Sequence, residues 1–237
     1  MKTALVTGST QGIGKEIAKK LVADGYNVIV HCSSDKEKAE RVKDEISACK
    51  SVVCDLSDIN QVEQLKEKTG RVDVLVLNAS VQFKEEWQNA KLESIYKQLT
   101  VNFVSTLRLM QTYYSDMKEA GFGRIITIGS VNQHRTHPEL SVYAATKCAV
   151  MSLVENVAKE VAPFGITVNN VSPGAIATPR NEKIYSDENA RKTVEAHIPV
   201  GRFGTAEECA GIVAFLAGDA SNYITGADIK VDGGMSL

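Results

Sequence analysis

Ala4-Leu5-Val6-Thr7-Gly8-Ser9-Thr10-Gln11-Gly12-Ile13-Gly14 carries the strongest fold signal in the chain. A short apolar run with strand character enters a glycine-rich turn, and Gly14 opens a stretch whose apolar residues Ile13, Ile17, Ala18 and Leu21 share one helical face, stopped at Gly25. Glycines in a strand–turn–helix let the backbone bend sharply and approach a pyrophosphate, while the helix N-terminus offers free N–H groups and partial positive charge. The spacing predicts a dinucleotide site; a purely structural turn is the alternative in a chain with 17 glycines.

Outward from this turn, short runs rich in β-branched residues recur at Val28–Val30, Val52–Val53, Val72–Leu77, Arg124–Ile128, Ile166–Val171 and Ile229–Val231, separated by helical stretches. That alternation predicts an α/β fold: a doubly wound, seven-stranded parallel sheet with helices on both faces. Thr205 to Glu208 reads as a capping box, and Asp58 with Gln61 repeats the logic. Ser94–Glu119 and Ser141–Val161 are the longest predicted helices, with broad apolar faces that need partners, a second subunit among them.

Residues 1–237 fit a single domain, since domains hold roughly 100–200 residues, and 43% hydrophobic content suffices for a core without metal or disulfide. Pro179 to His197 is polar and follows a Pro-Gly turn; it reads as a substrate flap or a plain surface helix. Scattered charges, 27 Lys+Arg against 29 Asp+Glu, give no support to nucleic acid or an anionic membrane as partner. The five cysteines are odd in number, lack a C-x-x-C pair, and read as reduced, buried residues of a cytoplasmic protein; no metal ligand set is apparent. No signal-peptide core follows Met1-Lys2, and no apolar run approaches the roughly 18–20 residues of a membrane span.

Tyr-x-x-x-Lys occurs twice, at Tyr114/Lys118 and Tyr143/Lys147, each at i,i+4 on a predicted helix. Only Tyr143 follows a strand ending in Gly129-Ser130, across a loop of twelve residues. Reducing a carbonyl by hydride puts negative charge on oxygen, which needs a proton donor and hydrogen bonds. A phenol donates well, and a neighbouring ammonium lowers its pKa by roughly 1–3 units, so it also works as a base. Tyr143, Lys147 and Ser130 are therefore the candidates for this chemistry, and Tyr114/Lys118 is assigned to helix surface. A strand-end hydroxyl bonding backbone remains the alternative for Ser130.

The ordered set of Thr7 to Gly14, Asn78-Ala79-Ser80, Asn102, Ser130, Tyr143 to Lys147 and Pro173-Gly174 resembles the short-chain dehydrogenase/reductase family over essentially the whole chain. The resemblance implies an NAD(P)-dependent oxidoreductase that interconverts a secondary alcohol and a carbonyl, in an assembly of two or four subunits. It implies that Gly8, Ser9, Thr10, Gln11, Gly12, Ile13, Gly14, Asp55, Leu56, Asn78, Ala79, Pro173, Gly174, Ile176 and Thr178 surround the cofactor. Lys147 would also hold the ribose, and Asn102 would fix a water relaying protons to Lys147; a helix kink or buried hydrogen bond is the plainer role for Asn102. Where NAD-using members carry aspartate, this chain has Cys32, so NADP is favoured over NAD, with Ser33, Ser34 and Lys36 receiving the 2′-phosphate.

Ser80 replaces the family's glycine, and Gly121 and Phe164 stand where reductases of acyl-carrier substrates commonly present arginine. With Gln82, Asn132, Gln133, His134 and Asn181 expected at the pocket rim, a small polar or sugar-like substrate is predicted. A 3-oxoacyl-carrier reductase is the alternative enzyme. A non-catalytic nucleotide-binding regulator and a methyltransferase are the alternatives from other classes.

Overall fold

The computed structural model describes residues 1–237 and places every predicted strand in one parallel sheet. The strands are β1 (Thr3–Val6), β2 (Asn27–Cys32), β3 (Lys50–Val53), β4 (Val74–Leu77), β5 (Gly123–Ile128), β6 (Ile166–Pro173) and β7 (Asp228–Val231), in spatial order β3-β2-β1-β4-β5-β6-β7. Side chains alternate across it. Ala4, Val6, Val28, Val30, Val74 and Val76 face α1 (Gly12–Ala23), α2 (Lys36–Ile46) and, toward the C-terminus, the helix Ala206–Ala217. Leu5, Ile29, Leu75, Ile125 and Val168 face the opposite way, onto α3 (Ile59–Thr69) and the two long helical stretches. Each face of the sheet thus has its own core.

The stretch expected as one helix from Ser94 is three: α4 (Leu92–Leu99), a π turn (Thr100–Val104) and α5 (Ser105–Ala120). Asn102 lies in the π turn, and its amide leaves the helix to bond backbone elsewhere, consistent with its poor fit to regular helix. α6 (Ser141–Val161) has the predicted bounds. Residues 179–197 form a 3-10 turn (Pro179–Asn181), α7 (Glu182–Ser186) and α8 (Glu188–Glu195), before α9 (Ala206–Ala217).

The Thr205/Glu208 capping box is present, but Gln61 bonds the Asp58 side chain and the Asp55 N–H rather than closing a second box. Cys32, Cys54 and Cys209 are buried as expected; Cys49 and Cys148 are exposed, because they fall on the outer side of the β3 entry and of α6. No helix is long and apolar enough to cross a membrane.

The chain winds from β1 outward to β3, then returns to place β4 on the other side of β1. Such a reversal leaves a crevice at the carboxyl ends of the two central strands, where ligands of open α/β sheets bind. Here the two strand ends are laced together: Thr7 Oγ1 accepts from the Asn78 and Ala79 N–H groups, and Asn78 Nδ2 donates to the carbonyls of Thr7 and Gly8.

Candidate active site

A cleft of about 700 Å³ opens at this reversal and runs along the carboxyl edge of the sheet. One end is formed by the glycine turn and the ends of β2 and β3: Gly8, Thr10, Gln11, Gly12, Ile13 and Gly14 line it, as do Cys32, Ser33, Ser34, Asp55 and Leu56. Gly12 has φ +55°, a left-handed conformation that suits glycine. A Cβ on Gly14 would lie 2.4 Å from Asn78 Nδ2 and 2.5 Å from the Gly8 carbonyl, so only glycine lets α1 start this close to β4. No side chain caps the N-terminus of α1 and its first turn carries no acid, leaving it free for an anion. A dinucleotide pyrophosphate fits this cradle.

β2 carries no carboxylate at its end. The nearest acid, Asp35, caps α2 by accepting from the Lys38 N–H at 2.8 Å. Lys38 lines the cleft and reaches Gln11 Oε1 at 2.6 Å, whereas Lys36, the sequence-based choice, does not line it. The cap sets which lysine returns toward the glycine turn, and only a correct helix start would have told them apart.

Of the residues at the cofactor end, Ser9 was expected in the lining and is not there, while His31 lines it and was not expected. Ser9 does not line the cleft; its Oγ accepts from the His31 N–H and its own N–H donates to the His31 carbonyl, fastening the turn to β2. The His31 ring accepts from the Gly8 N–H at Nδ1 (3.0 Å) and reaches the Cys54 carbonyl at Nε2 (3.0 Å). That pairing requires a neutral ring protonated on Nε2. Burial pushes its pKa down to about 4, so the ring holds that form at neutral pH.

At the other end Tyr143 lines the cleft and is 4% exposed. Lys147, one helical turn on, is also buried, with Nζ 5.7 Å from the Tyr143 ring centroid and donating to the Ile128 carbonyl at 2.7 Å. Burial, reinforced by the like charge of Arg180, lowers the Lys147 pKa from 10.5 to about 7. Ser130 lines the same wall, and its Oγ accepts from the Asn132 N–H at 3.2 Å. Gln133 Oε1 accepts from the Ser130 N–H, closing an S-x-x-Q capping box that holds the turn Val131–Gln133. An O–H donor beside a phenol and a buried ammonium is a site that can hold and protonate a developing alkoxide.

Asn102 is buried and does not line the cleft. Its Oδ1 accepts from the Val81 N–H and its Nδ2 donates to the Val81 carbonyl, both at 2.9 Å, with a further bond to Thr146 Oγ1 at 3.1 Å. The amide fixes the segment after β4 against α6. Asn78, Ala79, Pro173, Gly174, Ile176 and Thr178 border the centre of the cleft, with Ser80, Gln82, Asn132 and Asn181 on the expected rim.

His134 is a correction to the predicted rim: it is turned to the Asp228 carboxylate at 2.6 Å, as is the Gln133 amide at 3.3 Å, and neither lines the cleft. The capping turn points both toward the start of β7 rather than the opening. Overlooked by the sequence reading are Lys84, Lys97, His137 and Arg180, all in the lining. Arg180 reaches across to Ser80 from a segment 100 residues away, which no local pattern announces.

Comparison with known proteins agrees with this arrangement. The family model described as enoyl-(acyl carrier protein) reductase matches residues 8–236. The 3-oxoacyl-(acyl-carrier-protein) reductase FabG of Haemophilus influenzae is 38% identical over 241 residues, covering 100% of this chain and 98% of that protein. Among solved structures, a 3-oxoacyl (acyl-carrier-protein) reductase from Agrobacterium tumefaciens C58 with NADP bound superposes with TM-score 0.94 at 33% identity, covering 98% and 93% of the two chains. A gluconate 5-dehydrogenase from Burkholderia cenocepacia J2315 in complex with NADP and tartrate gives 0.92 at 30%, covering 99% and 95%. The chain belongs to the short-chain dehydrogenase/reductase family and is an oxidoreductase of that family.

Proposed function

We propose that this protein is an NADP-dependent enzyme interconverting a secondary alcohol and a carbonyl on a small polar substrate. The observation that carries the reading is that Tyr143 and Ser130 line the same cleft as the glycine cradle, with the buried Lys147 ammonium behind the lining, 5.7 Å from the Tyr143 ring centroid. When bound, the nicotinamide supplies hydride to the carbonyl carbon, or accepts it from the alcohol. In reduction Ser130 hydrogen-bonds the substrate oxygen and Tyr143 gives it the phenolic proton; in oxidation Tyr143 takes that proton back. Lys147 favours the phenolate by its charge and holds the ribose hydroxyls. Asn102 is a positioning residue, holding Val81 and Thr146 so that the wall after β4 and the start of α6 keep their register.

Gly8, the stretch Thr10 to Gly14 and the N-terminus of α1 would take the pyrophosphate, Asp55 and Leu56 would border the adenine, and Asn78, Ala79, Pro173, Gly174, Ile176 and Thr178 would surround the nicotinamide end. Ser33, Ser34 and Lys38 receive the 2′-phosphate, supported by the cap that occupies Asp35. Michaelis constants for NADPH and NADH test this directly: a lower value for NADPH is expected, and a large NADH preference would remove the phosphate site.

The alternative substrate, a 3-oxoacyl thioester on a carrier protein, is favoured by the FabG likeness. Against it, Gly121 is the left-handed cap of α5 and Phe164 packs on Tyr114 and Lys118, so neither offers charge to an acidic carrier. Initial rates on aldoses, ketoses, polyols, oxo acids and 3-oxoacyl thioesters decide between them, and turnover of thioesters alone would overturn the small-molecule reading. The segment 179–197 serves as the substrate flap of a single domain. Leu92, Tyr96 and Leu99, exposed along α4, suit burial against a second copy in a cytoplasmic homo-oligomer. A monomer in hydrodynamic measurements would remove that assignment.

A further inference from the structure

Arg180 follows Thr178-Pro179 in the 3-10 turn that opens the flap. One of its terminal nitrogens, Nη2, donates to both the carbonyl of Ser80 at 2.8 Å and its Oγ at 3.1 Å. Ser80 is the residue by which this chain departs from the family's glycine, and its hydroxyl is one of the two acceptors. A single nitrogen is thus anchored from across the cleft, leaving donors of the planar fork for another acceptor. None of the chain's ion pairs includes Arg180, Lys84 or Lys97.

The charge balance of the cleft points the same way. Lys84, Lys97, Arg180 and His137 line it, and the only carboxylate in the lining is Asp55, at the far end and engaged by the Ser57 N–H and O–H. A cleft lined by one sign of charge concentrates ligands of the other. A neutral hydroxyl gains only an ordinary hydrogen bond from a guanidinium, whereas a carboxylate gains a charge-assisted one from the nitrogen donors that Ser80 leaves open. An anion there would also offset the repulsion that Arg180 exerts on Lys147.

We propose that Arg180, anchored by Ser80, seats a carboxylate of the substrate, so that the compound oxidised or reduced here is a hydroxy acid or an oxo acid. This deepens the oxidoreductase reading above and rests on it for the reacting group. Lys84 and Lys97 add attraction at longer range.

The experiment pairs acids with neutral counterparts: acetoacetate with methyl acetoacetate, and D-gluconate with D-sorbitol. Each is titrated calorimetrically into NADP-loaded protein and assayed for NADPH consumption or formation. Wild type is expected to bind and turn over the acid of a pair at least tenfold better. Arg180→Gln should bring that ratio close to one, chiefly through KM, and Ser80→Gly should lower it partway, because the carbonyl anchor remains. Equal handling of acid and neutral compound by wild type overturns the proposal, as does a ratio that Arg180→Gln leaves unchanged or the absence of Arg180-dependent binding of either acid. Weakened NADPH binding with an unchanged ratio would assign Arg180 to the cofactor's phosphates instead. Arg180-dependent binding of acids without turnover would support the seat while refuting the redox reading, and turnover of neutral carbonyls as efficient as that of acids would do the reverse.

Discussion

Two Tyr-x-x-x-Lys pairs lie on the adjoining helices α5 and α6, alike in spacing and opposite in surroundings. Tyr114 is half-buried with its ring edge-on to Phe164 at 6.3 Å, and exposed Lys118 places its ammonium 4.2 Å from the Phe164 centroid. Tyr143 and Lys147 are each 4% exposed, and the Lys147 ammonium is bonded to the end of β5. Equal spacing puts the members of each pair within reach of each other; burial, with the like charge of Arg180, gives only the second an ammonium that titrates near neutrality. The lesson is that the character of the second pair is set by what surrounds it, chiefly the carbonyl end of β5 and the charge of Arg180.

The largest effect expected from breaking the comparison is at Lys147. Lys147→Met should lower kcat/KM by roughly 10²- to 10⁴-fold, the usual range for lost acid–base assistance, in steady-state assays. The same change should stabilise the cofactor-free protein at neutral pH by on the order of 1–4 kcal/mol in urea titrations, because it replaces a buried charge with an apolar chain. The pH dependence has a definite sign. An unfolded lysine keeps its proton to about 10.5 while folded Lys147 releases it near 7, so the unfolded chain binds more protons between those values. Stability therefore rises with pH from 7 to 10.5, and Lys147→Met should flatten that rise.

His31 shows the same lever acting on another buried base. Its folded pKa is about 4 against 6.5 in the unfolded chain, so its contribution is complete above 6.5 and is lost as pH falls toward 4. The loss amounts to about 3 kcal/mol at 1.36 kcal/mol per pKa unit, and His31→Leu should make stability less steep in that window. Asn102→Ala strands the Val81 N–H and carbonyl, each 2.9 Å from the lost amide, and should cost about 2 kcal/mol in thermal or urea unfolding. Smallest is Lys118→Met, which removes only the cation–π contacts of an exposed ammonium with Phe164 and Tyr114; a loss below about 1 kcal/mol with unchanged turnover is expected. A large catalytic loss there would erase the distinction between the pairs.

Much of this was legible in sequence because it is local. The glycine turn, the alternation of β-branched runs with helices, and the bounds of α6 follow from spacing and residue type. Tyr143 was separable from Tyr114 by the strand end before it. The residues that escaped are those defined by distant partners: His31 by the Gly8 N–H and Cys54 carbonyl, Arg180 by Ser80, and His134 by Asp228, which draws it off the rim. Lys38 was missed for a different reason, since choosing it over Lys36 needs the α2 cap at Asp35.

A head-to-head assay of Tyr143→Phe and Tyr114→Phe tests the central claim most directly. Single-turnover NADPH oxidation is followed on whichever panel compound wild type reduces fastest, with NADPH binding measured alongside. The account predicts that Tyr143→Phe loses roughly 10²- to 10⁴-fold in rate while still binding NADPH, and that Tyr114→Phe stays within about twofold of wild type. Wild-type rates in Tyr143→Phe, or equal losses in both variants, would contradict it.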